Sequence, residues 1–371
     1  MPLAALGDRR TAPQEKVAER IGRRANRRQA SAAMTPPFVL PGSRRAMGYL
    51  ESRRVTDKSR ATLRREVGAF RLWCHEQNRS VSSLEALDCT LVEYLDYLFF
   101  GGYNHERGDK LLSGLAFENP KYRRGGEEDL GRARAALQGF RRLAPGQPRF
   151  PLARPEFAAL LGAGVVALGL DFALGLAIAW DGGLRLPSDL MSLQGRSLIP
   201  PPPKSGITNW GLLLYPAEAE ARSKAGHQDE GLLLDGEFTA GIAAQLWRLK
   251  RTAGETGSLW AFSPAQFRAG FKKAAAMIGR PSLHPYQLRH GAASDDALYR
   301  RRSLTEIQER LRHANPKSTL RYKKHTRYLA ELGQVPPLVR AYGEAVEAQA
   351  SDILNGRLVL LPPPELAAAA R

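Results

Sequence analysis

HPYQLRHGAASDDALYRRRSLTEIQERLRHANPKSTLRYKKHTRY, from His284 to Tyr328, is the stretch on which the reading of the fold turns. It gathers residues that can handle a phosphodiester: Arg289 and His313 can hold a phosphate, and Tyr322 can attack one. Pro285 suits the first turn of a helix that runs on through Arg289 and His290. Tyr286 and Arg289, three apart, share a face of it. Ser303 and Glu306 have capping-box spacing, and Leu304, Ile307 and Leu311 recur at helical intervals, so a second helix ends near His313. Asn315-Pro316 forces a turn. Ser318 or Thr319 then caps a third helix expected to carry Tyr322. This order of elements brings a helix-end histidine and a helix-borne tyrosine together.

The segment resembles the catalytic end of the tyrosine recombinases, the phage integrase family. Their pattern is H-x-x-R-H, a helix ending in leucine-x-histidine, and a tyrosine nine residues later. Tyr286-Gln287-Leu288-Arg289-His290 occupies the place of the first motif, Leu311-Arg312-His313 that of the second, and Tyr322 follows His313 by nine. Tyr286 stands where the family has a histidine. His284 falls off that helical face and reads as a cap or turn residue.

Upstream, Trp180-Asp-Gly-Gly-Leu-Arg-Leu-Pro-Ser-Asp-Leu190 resembles the family's G-L-R-x-x-E-L box, which makes Arg185 the first catalytic arginine. The family's acid lies three residues after that arginine; Asp189 lies four after, which leaves its support of Arg185 open. Trp210–Tyr215 and Gly231–Asp235 read as strands, and Pro200–Pro203 confines the preceding part to an edge or loop. The family carries a catalytic lysine on a β-hairpin, often as K-x-G. Lys224-Ala225-Gly226 matches between the two strands, and Lys204-Ser205-Gly206 has the same letters one strand earlier. Lys224 is the better placed; an exposed hairpin lysine is the alternative for either. Residues 237–280 read as mostly helical, with Leu246, Trp247, Trp260, Phe262, Phe267 and Phe271 as core.

Ser59 to about Leu143 reads as four helices. Ser59 can cap the first, in which Leu63, Val67, Phe70 and Cys74 form one apolar side. Leu91–Phe100 makes a second, closed by Gly101-Gly102; Leu111–Phe117 is a third. Leu130–Leu143 is a fourth, with Arg132, Arg134, Arg141 and Arg142. Four short helices with basic residues resemble the family's DNA-clamping N-terminal domain, although basic faces are commonly just solvated. Before them, the first 70 residues hold 16 Lys and Arg against 6 Asp and Glu. Such a segment can be a phosphate-neutralising arm or simply a solvated tail. Phe157–Trp180 is nearly all apolar, but Asp171 and four glycines interrupt it, so two buried helices fit better than a membrane span.

The 371 residues suffice for two domains with real cores, and a net charge of +18 favours an anionic partner, most simply nucleic acid. Cys74 and Cys89 form neither a metal-type pair nor a disulfide framework, which fits a reducing compartment. The expected fold class is mainly α with a small β-sheet (α+β). The expected divisions are a basic, disordered arm (1–58), a helical core-DNA-binding domain (59–144), a linker (145–154), a catalytic domain (155–345), and a helix end with tail (346–371). Residues 338–354 read as a further helix that either packs on its own domain or docks on a neighbouring protomer.

The resemblance implies a site-specific recombinase that breaks and rejoins double-stranded DNA through a 3′-phosphotyrosine, intracellular and tetrameric on DNA. Two arginines would clamp the phosphate, with His313 as a third donor and Tyr286 able to donate to it. Tyr322 would attack, and Lys224 would protonate the departing 5′ oxygen. The covalent bond stores the energy of the cut strand, so neither ATP nor metal is expected, and no cofactor. Two other readings remain: a catalytically weakened recombinase-fold DNA-binding protein, and a type IB topoisomerase.

Overall fold

The computed structural model describes residues 51, 53–146, 150–219, 223, 227–322 and 324–368. The arm up to residue 50 and the favoured hairpin lysine, Lys224, lie outside the described residues. The fold is mainly helical with one three-stranded antiparallel sheet, and it divides into two compact units, Met1–Gln147 and Pro148–Arg371.

In the first unit, α1 (Asp57–Glu76), α2 (Leu84–Phe100), α3 (Glu106–Glu118) and α4 (Gly131–Leu143) enclose one core. Helix α1 begins two residues before Ser59: the Thr56 side chain accepts from the Ser59 amide and is the true cap. Arg54 is folded with this unit, donating to the carbonyls of Ala116 and Phe117, so the arm ends sooner than its composition suggests. Val67, Phe70 and Cys74 are buried against Leu91, Tyr94, Leu95, Leu111 and Leu137. The α4 arginines are partly engaged internally: Arg134 pairs with Asp129, Arg141 with Asp109, and Arg132 donates to the Cys89 thiol.

The second unit is built on α5 (Arg154–Leu168) and α6 (Leu170–Asp181), the two helices of the apolar run, which meet at Gly169. Their side chains from Phe157 to Leu161 and from Phe172 to Leu174 are fully buried. No described helix is long and apolar enough to cross a membrane. After a short helix α7 (Ser188–Met191) come β1 (Leu198–Ile199), β2 (Trp210–Leu214) and β3 (Glu230–Leu234), in that spatial order. Leu198 pairs with Leu212, and Trp210 with Leu234. The two-residue β1 stops where Pro200 removes the next ladder donor. Alternation puts Trp210, Leu212 and Leu214 on the buried face.

Helices α8 (Ala243–Ala253) and α9 (Pro264–Met277) bury Leu246, Phe267 and Phe271. Trp247 departs from expectation: it is 43% exposed, T-shaped to Trp210 with ring centroids 5.1 Å apart. Then follow α10 (Tyr286–Leu298), α11 (Leu304–Arg310), α12 (Pro316–Leu320), α13 (His325–Gly333), α14 (Pro337–Ala348), α15 (Ala350–Leu354) and α16 (Pro364–Ala368). The 338–354 segment is thus two helices, and it packs on its own unit. Val339, Tyr342, Val346, Ile353 and Leu354 belong to the unit's core. Gly343 makes the closest approach to α5, where an added Cβ would stand 2.0 Å from the Pro155 carbonyl oxygen.

Candidate active site

Helix α10 starts directly after Pro285, whose fixed φ and missing amide suit a helix entrance. His284 is exposed, and its amide donates to the Gln287 side chain, which makes it a turn residue. One turn on, Arg289 is 0% exposed. Its guanidinium donates to the carbonyls of Gly183 and Leu311, and Nη2 stands 3.1 Å from His313 Nε2. Two distant chain segments therefore fix the orientation of the fork. Burial is the main influence lowering its pKa to about 10, with the charges of Arg312 and Arg185 adding to it.

The Gly182-Gly183 turn carries the next arginine. Gly183 has φ +52°, and a Cβ there would sit 2.8 Å from Leu311 Cδ2, so glycine lets this carbonyl reach Arg289. Arg185 emerges just after. Its Nη1 is buried without a hydrogen-bond partner among the described residues.

Asp189, 1% exposed, is where the cationic residues are joined. It accepts from the Arg185 amide at 3.0 Å, from Tyr215 Oη at 2.8 Å and from Arg312 Nη2 at 2.9 Å. Its Oδ1 is 3.8 Å from Arg185 Nη1. The acid therefore supports Arg185 despite lying four residues on, because the short α7 turns its carboxylate back over the arginine's amide. Burial, then the Asp189 charge, push the Tyr215 phenol up to about 12.

Sequence reasoning gave no role to Arg312. It has φ +52°, is nearly buried, and reaches Asp189, the Gly182 carbonyl at 3.2 Å and Glu230 on β3 at 3.5 Å. Its only sequence signal is its place between Leu311 and His313. Thr319 and Ser294 were likewise invisible as site members, since each acts across a tertiary contact, whereas Asp189 is a candidate whose support of Arg185 the sequence leaves open.

His313 follows α11, and its Nδ1 lies 3.1 Å from Thr319 Oγ1. Burial first, then Arg289, Arg185 and Arg312, pull its pKa down to about 4. Tyr322 differs from expectation in its local structure. Asn315, not Ser318 or Thr319, caps α12, and this helix ends at Leu320. Tyr322 sits in the turn between α12 and α13. Its amide donates to the Thr319 carbonyl at 2.9 Å, and its carbonyl accepts from Ser294 Oγ at 2.9 Å. Five residues starting at a proline cannot extend a helix across this turn once Ser294 takes the carbonyl of Tyr322 and the amide of Lys324.

The Tyr322 ring is stacked on His290, with centroids 4.3 Å apart and planes at 15°. Its centroid is 4.8 Å from His313 and 5.2 Å from the Arg289 guanidinium carbon. Its hydroxyl is hydrogen-bonded to that of Tyr286. Tyr286, Arg289, His313 and Tyr322 are thus in direct contact, and Arg185 joins them through Asp189 and Arg312. Lys204 is exposed between β1 and β2 with φ +61°. Among the described residues, no group of three His, Cys, Asp or Glu is placed to hold a metal ion. Three guanidiniums against two carboxylates leave this pocket with an excess of positive charge and donors around a phenol.

No family model matches the chain, and no curated protein matches it. Among solved structures, the crystal structure of XerA recombinase is similar at 17% identity and a TM-score of 0.36, spanning 75% of this chain and 99% of that one.

Proposed function

We propose that the second unit breaks and rejoins DNA by transesterification at Tyr322. The observation that carries this is the placement of the Tyr322 phenol against Arg289, His313 and Tyr286, with the Arg185 donor nearby. A phosphodiester repels nucleophiles with its charge. Arg185 and Arg289 would neutralise the non-bridging oxygens and hold the growing charge of the transition state, with His313 as a third donor. The Tyr322 oxygen would then bond to phosphorus while the bond from phosphorus to the 5′ oxygen breaks. The phenol gives up its proton and the leaving oxygen gains one, from Lys224 in the arrangement that the resemblance implies. Reversal by another 5′ hydroxyl rejoins the strand without ATP.

The partner would be double-stranded DNA, contacted also by the basic N-terminal arm and the helical first unit, with self-assembly to a tetramer on paired sites. This makes the protein a site-specific recombinase. A nicked suicide duplex tests it: a covalent protein–DNA adduct should form and should disappear in Tyr322→Phe. One observation favours a second reading, a DNA-binding protein with weakened chemistry: a phenol, a poor proton shuttle near neutral pH, occupies position 286 and bonds to the nucleophile. That reading predicts binding without adduct. A type IB topoisomerase would instead relax supercoiled plasmid without site preference.

A further inference from the structure

His313 lies between two groups of opposite hydrogen-bonding character. Nε2 is 3.1 Å from Arg289 Nη2, and Nδ1 is 3.1 Å from Thr319 Oγ1. A guanidinium nitrogen only donates. The Nε2 atom facing it therefore accepts. A neutral imidazole has one donor and one acceptor nitrogen, so the ring proton is on Nδ1 and is donated to the Thr319 hydroxyl oxygen. Thr319 is fully buried in α12.

The charges around the ring keep it neutral. Arg289 faces it from α10, Arg185 from the turn before α7, and Arg312 from its own segment. The carboxylates of Asp189 and Glu230 are held by Arg312 behind them. From the turn after α12 the ring meets the Tyr322 phenol, whose hydroxyl is bonded to Tyr286 and whose ring stacks on His290. No carboxylate touches the imidazole among the hydrogen bonds and ion pairs of the described residues.

A phosphoryl oxygen held by Arg289 and His313 together needs a donor on Nε2, where the free protein presents a lone pair. We propose that Arg289 locks His313 in the Nδ1–H tautomer, with Thr319 as the positioning residue that accepts the Nδ1 proton, so that the site takes up one proton at His313 Nε2 when it binds a phosphoryl group. The proton comes from solvent, Nδ1 keeps its own, and the Arg289 N–H that faced the Nε2 lone pair is left for the anion. This rests on the phosphate-binding reading of the site given above. It makes anion affinity depend on pH with a slope of one proton, about tenfold per unit while the free ring is neutral and the bound ring charged.

The test uses the full chain with 15N-labelled histidine and arginine, read by NMR, and sulfate as the probe, since sulfate does not itself titrate near neutral pH. Loss of signal in His313→Gln and Arg289→Lys assigns the resonances. The free protein should show His313 protonated at Nδ1 only. Saturating sulfate should protonate both nitrogens, and the sulfate affinity read at Arg289 should weaken about tenfold per pH unit. Thr319→Ser should preserve the tautomer and the sulfate affinity, whereas Thr319→Val should keep the tautomer, because Arg289 still faces Nε2, and weaken sulfate binding, because the charged ring has lost the acceptor for its Nδ1–H. A free protein with the proton on Nε2, a sulfate affinity unchanged in Thr319→Val, or sulfate moving the Arg289 signals with His313 still neutral would each overturn the proposal. If neither sulfate nor duplex DNA perturbs Arg289 or His313, the phosphate-site reading itself fails, and the coupling with it.

Discussion

Asp189→Asn keeps the shape of the side chain at the centre of the cationic cluster and removes its charge. In the folded unit Asp189 is buried and accepts three hydrogen bonds, at 2.8, 2.9 and 3.0 Å, one of them from the Arg312 guanidinium. An amide oxygen can replace some of these acceptors, but its NH2 group would face donors. Arg312 would keep only Glu230 at 3.5 Å as counter-charge, beside Arg185 and Arg289. Removing one partner of a buried ion pair costs about 3–5 kcal/mol. That is a large part of the roughly 5–15 kcal/mol that holds a domain together. With a urea m-value of about 1–3 kcal/mol/M, the midpoint should fall by about 1–5 M. Four of the five tryptophans, Trp180, Trp210, Trp247 and Trp260, lie in the second unit, so fluorescence reports mainly on it. A double-mutant cycle with Arg312→Met should return a coupling of about 2 kcal/mol or more, because the isolated changes strand a charge that the pair does not. A loss below about 1 kcal/mol for Asp189→Asn, with additive effects in the cycle, would refute the idea that this carboxylate holds the cluster together.

Tyr322→Phe should retain DNA binding by gel shift and form no covalent adduct; an adduct in this variant would remove Tyr322 as nucleophile. Arg185→Lys and Arg289→Lys should each slow adduct formation on the order of 100-fold or more in quenched single-turnover assays, since a lysine cannot reproduce the planar fork. Burial pushes the Asp181 carboxyl up to about 6, against Arg310 and the Thr239 donors that act the other way. A raised carboxyl pKa gives stability that is present at low pH and lost as pH rises through 6. Asp181→Asn should therefore remove on the order of 3 kcal/mol of that dependence between about pH 4 and 6. His313 acts with the opposite sign in an overlapping window, so the wild-type minus variant difference is the quantity to follow by urea midpoint. Deleting residues 1–50, a cut that spares Arg54 and the Thr56 cap, should flatten the plot of log DNA affinity against log salt. An unchanged slope by fluorescence anisotropy would leave the arm without DNA contacts.

The sequence by itself determined what local spacing and composition control. Apolar periodicity set the helices around Val67, Phe70 and Cys74, and the interrupted run from Phe157 to Trp180 became two buried helices. Short apolar runs beginning at Trp210 and Gly231 set two strands, and the fold class followed. The placing of Pro285 and Ser303 was legible as helix entrances, because caps act within three residues. Even locally, competition between caps was not legible: Thr56 won over Ser59, and Asn315 over Ser318. Only the tertiary structure decided that Tyr322 leaves α12 for a turn, because the deciding hydrogen bonds come from Ser294, 28 and 30 residues away. It also decided that Asp189 holds Arg312 across 123 residues and that the Gly183 carbonyl fixes Arg289 across 106. Such contacts have no sequence period, since they depend on which faces meet after the core has packed. For the same reason, residues 338–354 resolved into two helices against α5: Tyr342, Val346 and the close approach of Gly343 fit the surface that Pro155 and Gly162 present, and that surface exists only in the folded unit.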